Sequence, residues 1–254
     1  MVIRFRLRYI STAVIVWMMC CGSEAWAWTT NSQQAIAEQA RAVAPPDLAH
    51  QIERHKVAFH SGVSQGPAIG SGEVGRLVER EAQRAIEMIR GHYPFADIVE
   101  QLGRIAYWVA YANNPYHAGS RSANYSDYLG YVDSARTRFR PVFYGLIPEL
   151  ESSSSRLRTI VDRAQVRGRR HQKVLEMEYR RVGGPPGVRK FDDRSSAFGV
   201  SAVAFSHAVT DVGLALRAIW FEAGGTDQRV LPTRHAVNAT VPLQTTGTTT
   251  RLKP

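Results

Sequence analysis

PFADIVEQLGRIAYWVAYANNPYH, residues Pro94 to His117, is the stretch that decides the fold. Pro94 stands where a helix begins, because its fixed φ suits the first turn, and Pro115 stops the helix. Between them Ile98, Leu102, Ile105, Val109 and Ala112 step by four, three, four and three. That spacing puts five apolar side chains on one helical face, so the segment predicts a buried helix.

The same period extends outward in both directions. Upstream, Asn31 to Ala42, Asp47 to about Val63 and Glu73 to Arg90 read as helices, punctuated by Pro45-Pro46, Gly66-Pro67 and Gly70-Ser71-Gly72. Downstream, the polar loop His117 to Ser126 leads into a helix expected over Asp127 to Phe143, with Tyr128, Tyr131 and Val132 inward. After the polar break Glu151 to Ser155 come a long charged helix, Arg156 to about Arg181, and a firm loop, Gly183 to Gly187. The last and most apolar helix, Ser195 to Glu222, ends at Gly224-Gly225. Strand patterns are almost absent, and the fold class expected is all-α, one multi-helix domain over residues 28–225. Residues 226–254, rich in Val, Thr and Pro without a periodic face, read as a disordered or loosely draped tail.

The chain has 254 residues with 44% apolar character, enough for a sizeable core and too many for a disulfide-stapled scaffold. Arg4, Arg6 and Arg8 precede an uncharged run, Tyr9 to Cys21, and Ala25-Trp26-Ala27 has the small-x-small form of a cleavage site. Residues 1–27 are therefore expected to be a secretory signal peptide, the run being shorter than the roughly 20 residues of a membrane span. An uncleaved anchor and a lipoprotein at Cys20 or Cys21 are the alternatives. Cleavage leaves Trp28 first, an exported (periplasmic or secreted) chain of net charge +8, and no cysteine. Any metal would then need His, carboxylate or backbone ligands. The positive surplus favours anionic partners, and it is concentrated in Arg156 to Arg194, where twelve Lys and Arg face five Asp and Glu. Arg167, Arg169, Arg170 and Lys173 could meet phosphate or lipid headgroups, or form a solvated face. No specific nucleic-acid motif, Gly-rich phosphate loop, Gly-x-Ser-x-Gly elbow or His-Glu-x-x-His is present.

Chemistry has to be sought among histidines and carboxylates. Seven histidines are scattered (His50, His55, His60, His92, His171, His207, His235). The eighth, His117, follows the helix-stopping Pro115 by two residues, where it would stand at a cavity mouth or cap free carbonyls. His207 and Asp211, four apart, share one helical face, as a zinc-ligating pair, as a base with its orienting carboxylate, or as a structural hydrogen bond. Ser206 beside His207 makes no triad, because helical neighbours point apart.

Leu102 to His117, ending Asn113-Asn114-Pro115-Tyr116-His117, resembles the central motif of the zinc-dependent phospholipase C and S1/P1 nuclease superfamily. Trp28, Phe191-Asp192-Asp193-Arg194 and Trp220-Phe221-Glu222 are similar to further segments of that family. The resemblance implies a phospholipase C/P1 nuclease-like helical bundle, with a mature amino-terminal Trp and three zinc ions that polarise a phosphoryl group and generate hydroxide. This chain departs from the implied ligand set: Tyr107 and Tyr111 stand for the helix histidine and aspartate, Tyr125 and Leu129 for the next histidine and glutamate, and Gln33 for a first-helix histidine. Trp28 and His117 persist. A phenol, with its pKa near 10, is a poor zinc donor at neutral pH, so fewer than three zinc ions, or none, are expected. Tyr107, Tyr111, Tyr116, Tyr125, Tyr128 and Tyr131 would fill the former metal cavity, as plain core or as a binding surface.

Three functional readings follow. The first is an exported, catalytically impaired relative, a pseudoenzyme that binds a phosphate-bearing or other anionic ligand or partner in the tyrosine-lined cleft. The second is a phosphoester hydrolase with a rebuilt one-metal site made of Trp28, His117, His207 and Asp211. The third is a structural or interaction protein whose basic helix docks on acidic surfaces, a membrane surface included.

Overall fold

Pro94 and Asn114 bracket the central helix, on which most of the other described helices pack. The computed structural model describes residues 28–66, 73–117, 122–147 and 156–226. The expected signal peptide (residues 1–27), the Glu151–Ser155 break, His235 and all but the first residue of the tail lie outside the described residues. In chain order the helices are α1 (Thr30–Arg41), α2 (Pro46–Arg54), α3 (Lys56–Val63), α4 (Val74–Arg90), α5 (Phe95–Asn113), α6 (Tyr125–Ala135), α7 (Arg156–Arg181), the one-turn α8 (Gly187–Lys190) and α9 (Ser196–Glu222). No strand occurs among the described residues, and the fold class is all-α.

Local chemistry explains the helix ends. Thr29 caps α1 by accepting from the Ser32 N–H at 3.2 Å, and Ser195 caps α9 by accepting from the Phe198 N–H at 3.1 Å. Pro94 is the N-cap of α5, and Asp97 in the first turn suits the positive end of the helix. α5 then buries almost its whole circumference from Ile98 onward, not a single stripe. Helices α1, α3, α4, α7 and α9 all pack on it. α9 is long and apolar enough to cross a membrane by composition, but most of that apolar run is buried inside the protein.

Two expected helices differ. The helix read as Asp47 to Val63 is two helices, parted at His55 (φ −114°, ψ 34°), although hydrogen bonds continue from Gln51 O to His55 N–H and from His55 O to Phe59 N–H. The helix read as Asp127 to Phe143 ends at Ala135, followed by a 3₁₀ turn, Arg136–Arg138, and an extended strap. Pro141 bars the expected continuation to Phe143, having no N–H to give a helix and driving Arg140 out of the α region; no proline or glycine marks the earlier stop at Ala135. Phe139, Pro141 and Phe143 of the strap are buried while Arg140, Val142 and Tyr144 are exposed, the alternation of extended chain. The strap is fastened to α9, with Val142 N–H donating to Ser206 Oγ and Tyr144 N–H to Thr210 Oγ1, each at 3.2 Å.

The tightest crossing is α3 on α5, and glycine makes it. A Cβ at Gly103 would lie 2.3 Å from Phe59 O, and one at Gly62 would lie 2.0 Å from Glu100 O. Backbone meets backbone there, with no flexible side chain to move aside. Gly103→Ala should therefore cost about 1–3 kcal/mol through overpacking. Gly199→Ala, on α9 with nothing within 4 Å, should be neutral or stabilising by up to about 1 kcal/mol. Thermal unfolding of the two variants checks the crossing, and a Gly103→Ala protein as stable as the parent would refute it.

Candidate functional site

The Asn-Asn-Pro-Tyr-His turn brings the end of α5 against α7. The Asn114 side-chain carbonyl accepts from the Tyr116 N–H at 2.8 Å, and the His117 N–H donates to Asn114 O at 3.1 Å. α7 crosses this turn at Gly168, where a Cβ would sit only 3.2 Å from Asn114 O. Asn113, the last residue of α5, donates its amide to Val109 O at 3.0 Å and to Asp211 Oδ2 of α9 at 2.9 Å. Arg167 of α7 donates to Asn113 Oδ1 at 3.2 Å and forms a close ion pair with Asp211 Oδ2. One side chain from each of three helices thus closes a small polar knot.

Asp211 is 3% exposed. Burial pushes its carboxyl up to about 6, against the pull of the Arg167 guanidinium and the Asn113 amide. His207, one turn earlier, supplies none of these contacts: its ring stacks on Tyr144 with centroids 4.4 Å apart. Burial, Arg167 and His171 lower the His207 pKa to about 4, and burial and Arg167 lower that of His171. Arg163, Arg167 and His171 recur every four residues on α7, which places all three along one side of that helix. The guanidinium partner of Asp211 is not evident from the sequence, where Arg167 groups with Arg169, Arg170 and Lys173 as ligands for phosphate or lipid headgroups or as a solvated face. Its four-residue spacing with Arg163 and His171 was the legible sign that Arg167 belongs to a different face.

His117 is not at a cavity mouth. It is 6% exposed, with its ring 3.9 Å from the Tyr111 ring. Gln165 Nε2 lies 3.5 Å from His117 Nε2, the amide being donor to a neutral ring. Nδ1 has no hydrogen-bond partner among the described residues. Burial lowers the His117 pKa to about 3. Trp28 is buried too, its indole N–H donating to Ala110 O at 2.7 Å and its ring edge-on to Phe205.

The tyrosines do gather beside His117. Tyr107 and Tyr111 are 2% and 5% exposed with ring centroids 6.0 Å apart. Tyr107 lies directly under Gly66, where any Cβ would strike its ring. Burial raises the Tyr111 phenol, and burial together with nearby Tyr111 raises that of half-buried Tyr125. Tyr116 bridges Tyr125 and Tyr128 at 6.3 and 5.0 Å. Tyr131 packs farther along, edge-on to Phe191. Leu129 is half-buried on α6, and Gln33 is 1% exposed on α1 with neither amide atom bonded among the described residues.

These donors do not fit a zinc ion. Tyr111 is held in its neutral form by burial, Leu129 has no donor atom, and the Asp211 carboxylate already has a guanidinium as counter-ion. Trp28, His117, His207 and Asp211 each have other neighbours, and no three His, Asp or Glu side chains among the described residues are placed to hold a metal ion. Among the described residues, a crevice of about 730 Å³ between α4, α7 and α9 is lined by Arg80, Gln83, Arg156 and Phe221, and one of about 670 Å³ by Tyr93, Phe95 and Trp220. No family model matches the chain, and no curated protein matches it.

The buried imidazoles set a pH dependence. The unfolded chain takes up a proton at His117 near pH 6.5 and the folded chain only near pH 3. Stability should therefore fall as pH drops through that window, by about 1.4 kcal/mol per pH unit per such histidine. His207 acts in the same direction from about 6.5 to about 4, whereas Asp211, raised to about 6, gains stability as pH falls below that value. Urea unfolding between pH 6.5 and 4.5 should show a flatter slope for His117→Gln than for the parent. Equal slopes would contradict a neutral, buried His117.

Proposed function

We propose that this chain is an exported binding protein on a phospholipase C/P1 nuclease-like scaffold. It takes a phosphate-bearing or other anionic ligand and does not hydrolyse it through a trinuclear zinc centre. The observation that carries the reading is the Arg167–Asp211–Asn113 knot. At the end of the motif helix, where the resemblance implies a metal cation balancing carboxylates, the carboxylate here is balanced by a guanidinium from the same chain. A bidentate-capable arginine is an anion ligand as well as a counter-ion.

The anion would be met where α7 and α9 emerge, by half-buried Arg167, His171 and His207, with Tyr144 over the His207 ring. At neutral pH both imidazoles are neutral, each offering one N–H donor. Arg167 supplies the guanidinium, which pairs with Asp211 and keeps part of its side chain exposed. Tyr144, 45% exposed on the strap, adds a planar face for the organic part of a ligand.

Two measurements test the reading together. Metal analysis of the purified full chain should find fewer than two tightly held zinc ions, and phosphodiester hydrolysis should stay at background. Millimolar inorganic phosphate or a phosphate monoester should raise the melting temperature of the parent. The rise should vanish in His171→Ala/His207→Ala, whose side chains lie outside the knot. Two or three tight zincs with phosphodiesterase activity, or an identical phosphate shift in the double variant, would overturn it.

A further inference from the structure

α7 has a second face that the ligand reading leaves unused. Its inward side buries Ile160, Val161, Ala164, Gly168, Leu175 and Tyr179. Its outward side exposes Asp162, Val166, Arg169, Arg170, Lys173, Val174, Met177 and Arg180. Val166, Val174 and Met177 are 40%, 38% and 61% exposed, unusual for apolar side chains on so charged a helix. Steps of four, three and four join Val166, Arg170, Lys173 and Met177 into one stripe, so the apolar groups and the cations share a surface.

Of the acids of α7, Glu176 and Glu178 are engaged elsewhere, and Asp162 stands at the first end of the stripe beside Arg158. From Arg163 to Leu175 there is no Asp or Glu. Glu176 accepts from Ser122 Oγ at 2.5 Å and Asn124 Nδ2 at 3.0 Å, tying α7 to the start of α6. Glu178 is buried and pairs with Arg181 at 2.8 Å, and Asp162 faces Arg158 at 3.9 Å. No carboxylate among the described residues pairs with Arg163, Arg169, Arg170, Lys173 or Arg180 in a salt bridge.

We propose that this outer face of α7, apolar Val166, Val174 and Met177 set among Arg169, Arg170, Lys173 and Arg180, docks on a lipid bilayer bearing anionic headgroups. An amphipathic helix lying in the headgroup plane needs these two components, a shallow apolar stripe and flanking cations for anionic lipid. Charge alone would serve equally for nucleic acid. The exposed groups here are aliphatic, however, and no aromatic ring on this face could stack on a base. Aliphatic side chains gain by leaving water for acyl chains and gain little against a phosphate backbone. The helix is rigidly held from behind by α5 and α9, so docking requires no ordering of a loose segment.

Co-sedimentation of the full chain with vesicles tests this. The protein should pellet with phosphatidylcholine vesicles containing phosphatidylglycerol and remain in solution with phosphatidylcholine alone. Arg170→Gln/Lys173→Gln should weaken the partition by roughly fivefold per charge removed. Met177→Gln, which alters no charge, should weaken it severalfold as well. All three positions are exposed, and unchanged melting temperatures would confirm that the variants fold. Equal pelleting with both vesicle types would overturn the proposal. So would parent-like binding by Met177→Gln with equally tight, salt-dependent binding of a random single-stranded oligonucleotide, which would assign the face to nucleic acid. The phosphate shift at His171 and His207 is independent of either result, because those side chains are not on this face.

Discussion

A carboxylate sealed between three helices is the constraint on which the rest of this structure depends. Asp211 has almost no access to water, and an ion in that position is tolerable only when an opposite charge and further hydrogen bonds replace hydration. Arg167 and Asn113 supply both, and in doing so fix the register of α7 and α5 against α9. The requirement reaches into the sequence at a distance: Gly168 must be small so that α7 can approach the Asn114 turn closely enough for Arg167 to reach the acid. The strap that crosses α9 through Ser206 and Thr210 then lays Tyr144 on His207 at the edge of the same seam.

The neighbouring aromatic region follows a different logic. Tyr107, Tyr111, Tyr116, Tyr125 and Tyr128 fill space around His117 with their rings, and burial raises the pKa of the Tyr111, Tyr116, Tyr125 and Tyr128 phenols. A cage suited to a divalent ion needs several anionic or imidazole donors converging on one point; this region offers one neutral imidazole and a set of phenols. Among the described residues, neutral packing lies on one side and a carboxylate paired with a guanidinium of the same chain on the other.

Much of the architecture was legible in the sequence because it rests on local rules. The four-three-four-three stripe of α5, the proline at its start and the glycine beyond α9 specify elements within a residue or two of those observed, and α7 begins and ends where read. The division of α2 from α3 at His55 was not legible, since no proline or glycine marks it. Pro141 bars a helix from reaching Phe143, but nothing local marks the earlier stop at Ala135; the strap's period of two becomes evident only once the helix is known to stop. The site was less legible than the fold for a physical reason. His207 and Asp211 were correctly placed on one helix, yet the partner that decides the state of Asp211 lies 44 residues away on α7, and pairing across helices leaves no local signature. The burial of His117 was hidden in the same way, since its cover is Tyr111 behind it and Gln165 from another helix.

The measurement that bears most directly on this account is a double-mutant cycle at the knot, read by denaturant unfolding in the presence of a chelator. The parent is compared with Arg167→Met, Asp211→Asn and the double variant. Each single substitution is predicted to cost several kcal/mol, about 3–5 where it strands an unpaired buried charge, and the double variant should lose less than the sum, with a coupling of at least about 1 kcal/mol. Small, additive losses from the two single variants, or a parent that unfolds when chelator is added, would contradict a carboxylate balanced by the protein's own arginine.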